Sequence, residues 1–71
     1  MSDFEVSNEY KKQTLTQRLE ALNVEGWHNE EARLVALAVG NLEEADRLAG
    51  NIEIIKNAIS DVKTRLSEIS A

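Results

Sequence analysis

Cysteine and proline are absent from this chain of 71 residues, histidine occurs once, and Phe4, Tyr10 and Trp27 are its only aromatic residues. Without cysteine there can be no disulfide. A single histidine with no thiolate leaves too few donors for a structural zinc site. Basic residues are also few, 8 against 13 acidic ones, for a net charge of −5. Nucleic-acid binders present clustered Lys and Arg to phosphates, and the longest basic run here is Lys11-Lys12, so nucleic acid is not an expected partner. The acids are interleaved with bases, which argues against a mimic of DNA. Long hydrophobic runs are missing too. The longest is Leu34 to Val39, whereas a membrane span needs about 20 apolar residues. Residues 1–30 hold no apolar segment of the signal-peptide kind, so the expectation is a soluble, cytoplasmic protein with no membrane partner.

A chain this short buries only about 60% of the surface its unfolded form exposes, and small domains usually need a further staple. With disulfide and metal excluded, self-association or a bound partner remains.

Ala, Leu, Glu, Lys, Arg and Gln dominate the composition, and strand-like alternation is absent, so the chain reads as all-α. Residues 1–7 read as a loose arm, with Phe4 and Val6 as tie-down points, and residues 8–71 as one helical domain. Ser7 or Asn8 can cap a first helix over about 8–23, whose apolar stripe is Leu15, Leu19 and Leu22, with Tyr10 further up the same side. Residues 24–28 read as the turn, with Gly26 supplying backbone freedom and His28 or Asn29 capping the next helix. A connection this short makes antiparallel neighbours, a helical hairpin.

The longest pattern follows. Leu34, Ala38, Asn41, Ala45, Leu48, Ile52, Ile55, Ile59, Val62, Leu66 and Ile69 are spaced alternately four and three residues apart, a heptad register over five repeats. It predicts one long helix over 29–70, although Gly40-Asn41, with Glu44 three residues on, also reads as a helix stop followed by a capping box. An unbroken helix of that length outruns the first helix, so Leu48, Ile52, Ile55, Ile59, Val62, Leu66 and Ile69 are expected to form an oligomer seam. Apolar or small flanking residues (Val35, Leu37, Leu42, Ala49 and Ala58) widen the stripe, as suits a bundle of three or four helices. Dimer to tetramer is the expected range.

Candidate sites are sparse. Glu25-Gly26-Trp27-His28 matches the Glu-x-x-His pair of di-iron bundles, but Gly26 interrupts it and the expected turn removes it from a bundle core, so neither metal nor cofactor is expected. Trp27 is either a plug packed near Ala32 and Val35 or an anchor for a partner. Asn41 is either a cap or a buried polar residue that sets register. Lys56, Lys63 and Arg65 flank the seam and face no opposite charge in a simple self-pairing, so an acidic neighbour is expected beside them on the first helix, on another subunit or on a foreign protein, or else a bound phosphate. The hydroxyl residues have no histidine partner and no glycine-rich phosphate loop occurs, which leaves no enzymatic constellation. The expected function is that of a small self-associating interaction protein, acting as a regulator, inhibitor or adaptor by binding another protein. The alternative is an oligomer that sequesters a small anionic ligand such as a nucleotide between subunits, through Lys56, Lys63, Arg65, Arg47 and Trp27.

Overall fold

The computed structural model describes residues 3–70, which form two helices, α1 (Asn8–Ala38) and α2 (Leu42–Ser70), packed as a hairpin. No strand occurs among the described residues. The molecule is a rod of 50 × 19 × 18 Å, matching 31 residues of helix at about 1.5 Å each.

Each helix end has a local cause. Ser7 opens α1: its Oγ accepts the Tyr10 N–H at 3.2 Å, and its carbonyl accepts the Lys11 N–H at 3.1 Å. The far end closes with paired reversed hydrogen bonds, from Gly40 N–H to the Leu37 carbonyl (3.1 Å) and from Asn41 N–H to the Ala36 carbonyl (2.8 Å). That closure places Gly40 at φ 75°, a left-handed conformation that side chains with a Cβ disfavour. Asn41 then starts α2, its Oδ1 accepting the Glu44 N–H at 3.2 Å and its carbonyl accepting the Ala45 N–H at 3.1 Å. Three residues therefore reverse the chain.

This geometry corrects the expectation of one helix over 29–70. Stop and start signals at Gly40-Asn41 prevail over the continuity of the apolar spacing. Asn41 is an exposed cap and not a buried register-setter. The turn expected at 24–28 is likewise absent, because those residues lie inside α1. A lone glycine costs a helix only about 1 kcal/mol, and with no proline nearby nothing else stops it. Gly26 has a packing role: a Cβ built on it would stand 3.4 Å from Ile55 Cγ2, so α2 approaches α1 closely there.

The inward line of α1 is Leu15, Leu19, Leu22, Gly26, Asn29, Arg33 and Ala36, of which Ala36 is buried and the others half-buried. It faces Ala45, Leu48, Ile55 and Val62, which are buried, and Ile52, Ile59, Leu66 and Ile69, which are half-buried. Leu34 and Ala38, placed on the seam by the sequence register, are exposed. The residues expected to form an oligomer seam are thus covered, in part, by α1 of the same chain. Tyr10 points outward while Lys11 is half-buried, and Phe4 and Val6 are exposed beside a hollow they share with Leu15 and Ile69.

Two of the glycines should respond to alanine with opposite signs. Gly40→Ala forces a Cβ into the left-handed region and should destabilise by about 1–2 kcal/mol. Gly50→Ala sits inside α2 with open space around it and should stabilise by up to about 1 kcal/mol. Thermal melts followed by circular dichroism measure both, and a shared sign would contradict the turn geometry.

Candidate interaction surface

The turn-side half of α1 is inside out. Its inward positions are small or polar: Gly26, Asn29, Arg33 and Ala36. Asn29 satisfies its own amide, which donates to the Glu25 carbonyl at 2.8 Å. Its large apolar residues, Val24, Trp27, Leu34 and Val35, instead lie on the outer face, and Trp27 is 58% exposed. Their spacing brings them to one side of the helix. Around the turn, Leu37, Val39 (73% exposed) and Leu42 (64% exposed) continue this apolar surface. Ile54 is exposed on α2.

Trp27 is therefore not the expected plug beside Ala32 and Val35. Its ring tilts against His28, with centroids 5.3 Å apart, and with Leu19 and Val24 it borders a shallow, mostly apolar hollow. Glu25 and His28 acquire no third donor: among the described residues no group of three or more His, Asp or Glu residues could hold a metal ion.

Charge is divided along the rod. Residues 21–55, the half next to the turn, hold seven acidic and two basic residues, whereas residues 3–20 and 56–70 together hold six of each. The whole net charge of −5 therefore sits at the closed end.

The five candidate binding residues do not converge. Arg47 is held by Glu44: its Nε donates to both carboxylate oxygens at 3.1 Å and its terminal nitrogen also contacts Oε1. That hydrogen bonding, more than the bare charge, holds the Glu44 carboxyl below its usual range and raises Arg47. The contribution of such a lowered carboxyl to stability is present above its unfolded pKa and fades as pH falls through the lowered value. Both groups are exposed, so the effect is small. Arg65 Nε stands 3.0 Å from Asp61, and Lys56 Nζ stands 3.7 Å from Glu53. Each of these two cations thus has a carboxylate one turn away on its own helix, which is not where the acidic neighbour was expected. Lys63 has no ion pair among the described residues. Lys56 and Lys63 border one depression with Ser60, Thr64 and Ser67, while Arg65 lies on the opposite flank beside Arg18 and Glu68. Trp27 and Arg47 are at separate places again.

No helix of the described residues is long and apolar enough to cross a membrane. Comparison of the chain with protein-family models, with curated proteins and with solved structures gave no match.

The sequence reading missed Val24, Leu34, Val39 and Leu42 as surface residues. A signal for the first two existed, because Val24, Trp27, Leu34, Val35 and Ala38 recur at helical spacing. The turn signal of Gly26 at its start and the competing register through Leu34 and Ala38 mask it.

Proposed function

We propose that the chain is a small helical interaction protein that self-associates and acts as a regulator, inhibitor or adaptor by binding another protein. The observation that supports this most is the amount of surface left uncovered. The chain exposes 5638 Å². A compact monomer of 7.9 kDa is expected to expose about 4,400 Å². The difference exceeds the roughly 800 Å² per partner of a standard stable interface. A radius of gyration of 16.0 Å, against about 11 Å for a compact chain of this length, has the same origin. The outer face of α1, centred on Trp27, is one apolar part of that surface and is the proposed contact between copies.

Native mass spectrometry of protein purified under mild conditions tests the reading. It should find two to four copies, alone or with a bound protein; a bare monomer with nothing attached would overturn it.

One observation favours sequestration of an anion as a second reading. Lys56, Lys63 and the hydroxyls of Ser60, Thr64 and Ser67 border one depression, and these groups together suit a phosphate. Arg47, Arg65 and Trp27 have no part in it. Calorimetry against a panel of nucleotides should show binding that Lys56→Gln with Lys63→Gln removes. The absence of heat with every nucleotide would end this second reading.

A further inference from the structure

The closed end of the hairpin combines two properties that rarely coincide without a partner. Its tip is apolar and exposed, formed by Leu37, Val39 and Leu42, with Leu34 and Val35 adjoining on α1. Its surroundings are acidic: Glu30 and Glu31 precede the tip by about two turns, and Glu43, Glu44 and Asp46 follow it in the first turns of α2. Of the nearby cations, Arg47 is occupied by Glu44, Arg33 is half-buried on the inward line, and Lys56, which shares a hollow with Glu30 and Leu34, stands 3.7 Å from Glu53. Gly40 and the Asn41 cap hold the tip in one shape, so the surface exists before any partner arrives.

We infer that this tip docks a basic amphipathic segment of another protein, whose apolar face covers Val39 and Leu42 and whose Lys or Arg residues meet the surrounding carboxylates. Charge decides the occupant. A second copy meeting tip to tip would set Glu43, Glu44 and Asp46 at the start of α2 against the same three residues, and an anionic membrane surface would be repelled in the same way. A cationic segment alone gains from both properties. The inference rests on the interaction reading above and names the partner's chemistry; contact between copies is centred on Trp27, earlier in α1, and overlaps the tip only at Leu34 and Val35.

The test is titration of the full-length protein with two synthetic peptides that share one helical apolar pattern, one carrying lysine at every polar position and the other glutamate. The lysine peptide should bind and should weaken as salt rises, because the attraction is screened. Glu30→Gln with Glu31→Gln and Glu43→Gln should weaken it at least tenfold. Val39→Ser with Leu42→Ser should do the same while the far-ultraviolet circular dichroism keeps its helical form. Equal binding of the glutamate peptide, or lysine-peptide binding indifferent to Val39→Ser with Leu42→Ser, would overturn the inference. So would a fall in subunit number caused by that same pair of serines, since the tip would then be occupied by a second copy, or flotation of the protein with vesicles rich in phosphatidylglycerol. Failure here and failure of self-association are distinguishable: oligomers that ignore the lysine peptide sink only the tip, and a monomer that binds it sinks only the contact between copies.

Discussion

Ile55→Asp should leave the chain unfolded at 25 °C. Ile55 is 6% exposed and packs against Gly26, where an added Cβ would stand 3.4 Å from its Cγ2. Removing a buried isoleucine side chain costs about 2–5 kcal/mol by itself. An unpaired carboxylate in the same place adds the desolvation of a charge that nothing nearby neutralises. The buried core consists of Ala36, Ala45, Leu48, Ile55 and Val62 alone among the described residues, so little remains to offset the loss. Circular dichroism should show the helical signal collapse. Glu53→Gln, on an exposed position paired with Lys56 only at 3.7 Å, should change stability by less than about 0.5 kcal/mol. Equal effects of the two substitutions would show that the inward face of α2 is wrongly assigned.

Trp27→Glu combined with Leu34→Glu should do the reverse, keeping the hairpin while removing its assembly. Both side chains lie on the outer face of α1 and neither belongs to the buried core, so the helical signal should persist. A central tryptophan in an apolar contact commonly contributes 2 kcal/mol or more (about thirtyfold in affinity), and two glutamates facing their own copies add repulsion. The dissociation constant between copies should rise at least a hundredfold, read by sedimentation at matched concentrations. Loss of helix with unchanged subunit number would place this face in the fold and not in an interface.

The helical class, a cap at Ser7 or Asn8 and a stop signal at Gly40-Asn41 that competes with the long apolar register are legible in the sequence, because each depends on near neighbours along the chain. Ala45, Leu48, Ile55 and Val62 are buried as their spacing implies. The path of α1 was not legible. Gly26 looks like a turn residue when read alone, and only the position of Ile55, 29 residues away, gives it a packing role. The inward line of α1 also escaped notice because Gly26, Asn29, Arg33 and Ala36 carry no apolar pattern, while the apolar pattern of that half belongs to its outer face. Periodicity identifies an apolar side of a helix but does not say which neighbour covers it. For the same reason Lys56, Lys63 and Arg65 were grouped by spacing, whereas the structure sends Arg65 to the other flank and supplies Glu53 and Asp61 as local partners.

The central claim is that the outer face of α1 is covered by protein when the chain is folded and at work. Sedimentation equilibrium of the unaltered chain, from low micromolar to several hundred micromolar, tests it most directly. The account predicts masses of two to four chains over that range, falling to one chain when Trp27 and Leu34 are both replaced by glutamate. A well-folded single chain at every concentration, insensitive to those replacements, would contradict it.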